Sequence, residues 1–221
     1  MVYGLGITFI DIDETIFKTF AKIHILKNNK IIKKLSNQEF NKYKLQKDER
    51  YDFKEFKDGK LFLETSIPIK QTVELIKIIS HKILSAESKS KIIFLTARSD
   101  FKNKEEFLEA FRKQDIDIDN KELMYVERSG NIKEGSISEK KEKIILKYLE
   151  TGKYRRCRII DDCEENINVL KKISENISKK IIKKIIELNN IKENEIIIEF
   201  WGFLVDETGK IKNTFNKKII K

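Results

Sequence analysis

An apolar run that turns abruptly acidic occupies residues 7–15, which read ITFIDIDET. The apolar part has the length and composition of a buried β-strand, and the carboxylates follow directly. Two later stretches repeat this arrangement: KIIFLTAR at residues 91–98 and RIIDD at residues 158–162. Because patterns of helical period separate the three strands, the sequence predicts an α/β fold. It would have a Rossmann-like, mostly parallel sheet with flanking helices.

The polar residues that follow the three strands are expected to meet. The carboxyl ends of parallel strands lie at one edge of a sheet, where open α/β sheets bind their ligands. The residues concerned are Asp11, Asp13, Thr15, Thr96, Arg98, Asp161 and Asp162. Carboxylates that face one point repel each other, so they need a cation among them. All-oxygen ligation by few carboxylates suits Mg²⁺, which also accepts oxygens from water and from a substrate phosphate.

Asp11 and Asp13 are the predicted reactive groups. A carboxylate that is ionised at neutral pH can attack phosphorus once a metal ion and a lysine neutralise the phosphoryl oxygens. Asp11 comes directly after the strand and is the predicted nucleophile. Asp13, two positions further along the loop, points elsewhere and can protonate the leaving oxygen. The pair therefore predicts phosphoryl transfer.

The order of the motifs resembles that of the haloacid dehalogenase (HAD) superfamily of phosphotransferases. The matching motifs are DIDET, LTAR, a helix that begins with lysines, and IIDD, and the resemblance spans residues 5–168. It implies that Asp11 forms an aspartyl-phosphate and that Thr96 hydrogen-bonds the phosphoryl group. Asp13 would act as general acid and then as base for the hydrolytic water. Since superfamily members that cleave carbon–halogen bonds lack this second Asp, Asp13 favours phosphoryl transfer over dehalogenation.

The resemblance also implies a Mg²⁺ cofactor. The metal would be bound by the Asp11 carboxylate and by the backbone carbonyl of Asp13. One of Asp161 and Asp162 would complete the protein ligands, and the sequence leaves the choice between them open.

Other polar side chains near the motifs have two interpretations each. Arg98 either clamps a substrate phosphate or caps the sheet edge, and Thr15 is assigned with it to substrate binding. Asn166 either braces the metal-site loop or simply starts a helix. His24 lies in a predicted hairpin and is interpreted as a surface strand residue that could overhang the site.

The motif lysine has three candidates, Lys140, Lys141 and Lys143. Lys141 fits the superfamily best, both in its relation to Ile144 and in its spacing of twenty residues from Asp161. The other two lysines are interpreted as solvated cations at the helix start.

Residues 18–67 are predicted to be an insertion after the first strand. Residues 21–35 have the pattern of a β-hairpin with Asn at its turn, and a capping box then starts a short helix. The stretch up to residue 65 is interpreted as irregular or short helices, and Pro68 as the opening of a long helix. The resemblance implies that such an insertion forms a small cap over the site. A small cap would leave the site open to macromolecular substrates.

The whole chain, residues 1–221, is interpreted as one domain, since it contains no internal repeat and no low-complexity linker. Residues 158–160 are predicted to be a short strand. Residues 164–221 would complete the core with helices and a strand at 195–205, and residues 216–221 would fray. The arginines that precede the short strand, Arg155, Arg156 and Arg158, are predicted to lie at the edge opposite the site.

The composition excludes several protein classes. The chain has 221 residues, a formal net charge of +10 and one proline, which argues against disordered and collagen-like proteins. Because no apolar run approaches the roughly 20 residues that span a bilayer, a soluble, cytoplasmic protein without a membrane partner is expected.

Cys157 and Cys163 are too few for a disulfide framework and are predicted to be free thiols. Trp201 is predicted to belong to the core.

The substrate and the alternative function follow from weaker features of the sequence. The basic charge and a resemblance to the phosphatase domain of polynucleotide kinase-phosphatase favour a phosphorylated substrate such as a nucleic-acid 3′ phosphate or a nucleotide. The chain also resembles HAD-type proteins of tailed bacteriophages, which implies the host cytoplasm or the virion as its location. The alternative is a non-catalytic structural or binding protein, for example a viral particle component, that retains the fold. The oligomeric state stays open.

Overall fold

A computed structural model describes residues 4–40 and 42–221 of the chain. In chain order the strands are β1 Leu5–Ile10, β2 Phe17–Lys18, β3 Ile23–Lys27, β4 Lys30–Leu35, β5 Glu49–Asp52, β6 Ile67–Pro68, β7 Lys91–Thr96, β8 Met124–Arg128, β9 Tyr154–Asp161, β10 Ile196–Val205 and β11 Ile211–Ile220. The α-helices are α1 Asn37–Phe40, α2 Gly59–Thr65, α3 Lys70–Ser85, α4 Lys104–Arg112, α5 Ile137–Leu149, α6 Glu164–Asn176 and α7 Lys179–Asn189. Short 3₁₀-helices occur at Lys54–Lys57 and Ser129–Asn131.

Six strands form the central sheet, in the order β11-β10-β9-β1-β7-β8. β1 is parallel to β7 and β9, β7 is parallel to β8, and β9 is parallel to β10. The edge strand β11 returns antiparallel to β10. The prediction of an α/β fold with a mostly parallel central sheet and flanking helices is therefore confirmed, and the architecture is compatible with a Rossmann-like fold.

Helices cover the two faces of the sheet, and each strand alternates its side chains between them. Ile7 and Phe9 of β1 belong to the cluster that α5, α6 and α7 cover. Ile10 and Phe94 belong to the opposite cluster, with α3 and α4. Because β1 and β7 are buried on both faces, they appear in the sequence as continuous apolar runs.

The segment from β2 to β6 forms a small layer of its own. β2 pairs antiparallel with β6, so the two ends of the segment lie side by side. Between them β4, β3 and β5 form a three-stranded sheet around Ile23, Ile25 and Leu35. Asn28 and Asn29 have positive φ angles of 50° and 61° at the β3–β4 turn, which suits Asn.

Two local predictions in this segment are wrong. Residues 49–52 form strand β5 rather than irregular structure, because they pair with β3 through Tyr51 and Ile25. The long helix begins at Lys70 rather than at Pro68. The extended pairing of β6 with β2, and the hydrogen bond from the Ile69 N–H to the Ile16 carbonyl, 2.8 Å long, keep the chain extended up to that point.

Two strands of the central sheet extend further than the sequence predicted. β9 runs from Tyr154 to Asp161 rather than over 158–160 alone, because β1 and β10 pair with it along its length. Residues 216–220 do not fray, since β11 stays paired with β10 as far as Ile220. In the part of the chain that is described, no helix is long and apolar enough to cross a membrane.

Candidate active site

Three neighbouring strands bring the predicted residues to one edge of the sheet. β9, β1 and β7 lie side by side, and their carboxyl ends lead into Asp161, Asp11 and Thr96. The Asp11 N–H donates to the Ile160 carbonyl at 2.9 Å, so parallel pairing continues one residue past β1. The first and last motifs are therefore in contact although 150 residues separate them.

Lys141 joins the two buried carboxylates. Its Nζ lies 2.6 Å from Asp11 Oδ1 and 2.7 Å from Asp161 Oδ2, and its side chain is 1% exposed. A capping box between Ser136 and Glu139 starts helix α5, and Ile144 and Ile145 bury the same helix face as Lys141. This face directs Lys141 into the protein.

The two other candidate lysines lie outside this contact. Lys143 is exposed, and its Nζ lies 3.5 Å from the Glu134 carbonyl oxygen. Lys140 is partly exposed. Lys141 is thus the lysine of the three that the fold brings to Asp11.

The electrostatics of this cluster are those of carboxylates crowded around one ammonium group. Burial raises the pKa of Asp11 well above its usual value, and the charge of Lys141 opposes the rise. Burial alone would lower the pKa of Lys141, but Asp11 and Asp161 outweigh it and raise that pKa. Burial and the charge of Asp161 raise the pKa of Asp162 to about 7. Of the three acids, Asp162 is the one that reaches solvent. Raised carboxyl pKa values are expected where several acids lie close together with a single cation, here Lys141, among them.

Asp11, Asp161 and Asp162 could hold a metal ion. One carboxylate oxygen from each lies within 4.8 Å of the others. Asp161 is firmly oriented, since its Oδ1 accepts from Asn166 Nδ2 at 2.9 Å and from the Cys163 N–H at 3.0 Å. These contacts fix the orientation of the Asp161 carboxylate beside Asp11 and Lys141. The all-oxygen donor set fits Mg²⁺.

Thr15 links the first loop to the acidic pair. Its Oγ1 donates to Asp162 Oδ1 at 3.2 Å and accepts from the Asp162 N–H at 3.0 Å. The side chain is fully buried. Its contacts are therefore with Asp162, and a part in binding substrate stays a prediction.

Arg98 forms an ion pair with Asp13, the second aspartate of the first motif. Its Nε lies 2.9 Å from Asp13 Oδ2, and its Nη2 lies 2.6 Å from Asp13 Oδ1, which is a two-pronged ion pair. The Asp13 carboxylate is therefore paired with Arg98, whereas the acids that could hold a metal ion together are Asp11, Asp161 and Asp162. Thr96 supports the arrangement, because its buried Oγ1 accepts from the Arg98 N–H at 3.1 Å.

The inserted segment completes the surroundings of Arg98. Arg98 Nη1 donates to the Phe56 carbonyl at 3.1 Å. The Arg98 Cζ lies 4.6 Å from the ring centre of Phe56 and 4.8 Å from that of Phe62, which is cation–π distance. This contact was not predicted from the sequence. The one sequence feature that could have indicated it is the cluster of aromatic residues in the insertion.

His24 anchors the turn that carries Phe56. The prediction of a surface residue is wrong, because His24 is 2% exposed. Its Nε2 lies 2.6 Å from Glu55 Oε1, and Glu55 Oε2 accepts from the Lys22 N–H at 2.7 Å. The buried pair ties residues 54–57 to β3 and so fixes the place of Phe56 beside Arg98.

The chain was compared with protein-family models, with curated proteins and with solved structures, and none of the three comparisons finds a match.

Proposed function

We propose that the protein is a Mg²⁺-dependent phosphomonoester hydrolase of the HAD superfamily that acts through an aspartyl-phosphate. The observation that carries the proposal is the position of Asp11, whose carboxylate lies at a strand end, 2.6 Å from the buried Lys141 ammonium. Asp161 and Asp162 crowd the same point. A buried carboxylate beside one cation and two further acids suits a nucleophile that receives a dianionic phosphate.

The proposed cofactor fits the donor set. Mg²⁺ would be held by oxygens of Asp11, of one or both of Asp161 and Asp162, and of the Asp13 backbone. Bound there, it would neutralise charge on the phosphoryl oxygens and offset the repulsion among the carboxylates. Asp161 already accepts three hydrogen bonds from protein donors, which favours Asp162 as a direct ligand.

In the first step Asp11 attacks phosphorus. A bond forms between an Asp11 carboxylate oxygen and phosphorus, and the bond between phosphorus and the ester oxygen breaks. The leaving oxygen takes a proton from the Asp13 carboxyl group. Lys141 keeps the Asp11 side chain oriented and balances the negative charge of the incoming phosphate.

In the second step water releases the phosphate. Asp13, now ionised, accepts a proton from the water whose oxygen attacks phosphorus. The bond between Asp11 and phosphorus breaks, and the products are inorganic phosphate and the original Asp11 carboxylate. The proton from water restores the protonated Asp13 that began the first step.

Arg98 is the proposed link between substrate binding and this proton transfer. Its ion pair occupies both carboxylate oxygens of Asp13, so Asp13 can transfer a proton only when the pair loosens. A substrate phosphate competes for the guanidinium because phosphate and carboxylate bind it in the same two-pronged way. Arrival of substrate would thus free the Asp13 carboxylate, which takes up a proton from solvent and then gives it to the leaving oxygen. Arg98 would therefore contact Asp13 in the free protein and bind the phosphate once substrate arrives.

The test is phosphate release from p-nitrophenyl phosphate, a 3′-phosphorylated oligonucleotide and a panel of nucleotides, with and without Mg²⁺. We expect turnover that requires Mg²⁺ and that falls to background in Asp11→Asn. The preferred compound would identify the substrate class, which we propose to be a nucleic-acid 3′ phosphate or a nucleotide. Folded protein that binds Mg²⁺ yet releases no phosphate from any of them would contradict the proposal and favour a structural role.

A further inference from the structure

A large cavity lies away from the candidate active site, and none of its lining residues belongs to the Asp11 cluster. It is a groove of about 990 Å³ between helix α3 and the β10–β11 hairpin, and its floor is the sheet itself. Gly6 and Thr8 of β1 and Arg156 and Arg158 of β9 line this floor. Gly6 and Arg156 belong to the amino-terminal halves of their strands, whereas Asp11 lies beyond the carboxyl end of β1.

The carboxyl-terminal end of the groove is closed off from the active site. Gly209, in the β10–β11 turn, approaches Ile69 so closely that a Cβ at Gly209 would lie 2.7 Å from the Ile69 Cγ2. Val205 and Ile211 beside this turn pack into the cluster that contains Ile10 and the residues of α3. The groove and the Asp11 cluster are therefore two separate sites.

The charge of the groove has one sign. Among the described residues that line it are five cations and no carboxylate; the cations are Lys82, Lys91, Arg156, Arg158 and Lys210. Glu199 of β10 is paired in register with Arg156 and adds one negative charge beside these five cations. It also accepts a hydrogen bond from Asn216 Nδ2 at 3.0 Å and lies 3.5 Å from Lys218 Nζ, so positive charge stays in excess. The groove thus complements an anion.

The groove also offers flat and apolar surfaces. Leu75, Ile78 and Ile79 of α3 form one wall, and Ile78 is 50% exposed. Next to the lining residue Arg158, Trp201 is its register partner on β10, and the Trp201 ring centre lies 4.7 Å from the Arg158 Cζ. Trp201 is partly exposed rather than in the core as predicted. A guanidinium held against an indole is a surface on which a nucleobase can stack.

We propose that this groove binds a segment of single-stranded nucleic acid, with phosphates on its lysines and arginines and bases against the Arg158–Trp201 pair and the α3 wall. A positively charged groove with stacking side chains is the usual design of such sites. An acidic peptide fits less well, since β1, β9 and β10 are paired on both sides and offer no free edge for strand addition. The inference does not rest on the proposed catalysis.

The experiment uses Trp201, the single tryptophan of the chain, as its probe. Oligothymidine with hydroxyl groups at both ends is titrated into the protein without Mg²⁺, so the ligand is not a substrate and the active site is not engaged. We expect saturable quenching of the Trp201 fluorescence and an affinity that falls steeply with salt. An abasic oligophosphate of equal charge should bind more weakly and quench little, because it cannot stack.

Two sets of variants separate the groove from general charge attraction. Lys82→Glu combined with Lys210→Glu should weaken oligothymidine binding about tenfold or more, because both lysines are exposed at the groove. Lys180→Glu combined with Lys183→Glu makes the same charge change on α7, whose buried residues pack on the opposite face, and should leave binding within about twofold. Arg158→Lys keeps the charge and should reduce the quenching.

Three results would overturn the inference. They are the absence of saturable binding, an equal loss in the α7 control variant, and equal competition by polyglutamate of the same charge. Circular dichroism of each variant confirms that it is folded. Because the four lysines substituted are exposed, their variants test binding and not folding.

Discussion

The two aspartates of the first motif lie two residues apart, yet they belong to differently built halves of the site. The core half consists of Asp11, Lys141 and Asp161, which strands β1 and β9 and helix α5 hold in place. The insertion half consists of Asp13, Arg98 and Phe56, and it joins the sheet edge to the inserted segment. The difference teaches that the position of Asp11, the proposed nucleophile, depends on the sheet and on α5, whereas Asp13, the proposed proton donor, is also in contact with a residue that the insertion orients.

The largest expected effect is on the core half. Lys141→Met should cost about 3–5 kcal/mol of unfolding free energy, because it leaves Asp11 and Asp161 buried without their cation. It should also abolish turnover. Urea denaturation and phosphate release measure the two effects. Mg²⁺ should recover part of the stability, since it binds the folded carboxylates.

Lys143→Met is the matched control for this substitution, because Lys143 is an exposed lysine of the same helix. It should change the stability by no more than about 0.5 kcal/mol. Equal stabilities of the two variants would show that the Lys141 contacts contribute nothing to the folded state.

The second effect concerns Asp13 and distinguishes the two steps. Asp13→Asn should lower steady-state turnover by about 10²–10⁴-fold, the usual contribution of a general acid–base group. With p-nitrophenyl phosphate the first step should survive, since nitrophenolate leaves without a proton. Rapid mixing should therefore reveal a burst of one nitrophenol per enzyme, followed by slow turnover. Slow turnover with no burst would place the loss in the first step and contradict the role given to Asp13 as base.

The third effect tests the contribution of the insertion. Phe56→Ala removes the nearest of three rings around the Arg98 guanidinium, whose centres lie 4.6, 4.8 and 5.9 Å from Cζ. A cation–π contact contributes about 0.5–2 kcal/mol, so kcat should fall by between about twofold and thirtyfold. Phe53→Ala is the control, since Phe53 packs on Phe56, with ring centres 6.4 Å apart, and is 40% exposed. If both variants lose activity equally, the effect belongs to the insertion's packing and not to the contact with Arg98.

The smallest effect is on the helix that attaches the insertion to the core. Asp58 caps α2 through the Lys60 and Leu61 N–H groups, and these bonds together with that from Asn103 hold its pKa below the usual value. Asp58→Ala should cost about 1 kcal/mol at neutral pH and leave Asp11 chemistry intact.

The pH dependence of this cap has a definite sign. Because the folded pKa of Asp58 is lowered, the stabilisation is present above its unfolded pKa of about 4 and is lost as the pH falls through the folded value. The difference between wild type and variant should therefore shrink in acid, as measured by thermal unfolding. Glu64→Ala on the same helix serves as control. A difference that is independent of pH would contradict the capping role.

The core half was predictable because its signals are local. A continuous apolar run identifies a strand buried on both faces, and the residue after the strand is then placed at the sheet edge. The choice of Lys141 among the three lysines came from the resemblance to the superfamily, and in the structure Lys141 shares the buried face of α5 with Ile144 and Ile145. Local reasoning also located the β3–β4 hairpin by its two asparagines.

The insertion half was not predictable because tertiary contacts decide it. β3, the strand that pairs with β5, lies more than twenty residues upstream. The sequence of β5 itself does not have the pattern of a strand. His24 looks like a surface residue until Glu55 is folded against it. The pair of Arg98 and Asp13 depends on where Phe56 lies, and no periodicity encodes that position.

The central claim is that Asp11 carries the phosphoryl group. The most direct measurement is mass spectrometry of the Asp13→Asn variant after brief exposure to p-nitrophenyl phosphate and Mg²⁺, with peptide mapping of the modified site. The account predicts a mass increase of one phosphoryl group on the peptide that contains Asp11, and none in Asp11→Asn. A phosphoryl group on another residue, or a burst of nitrophenol with unmodified protein, would contradict it.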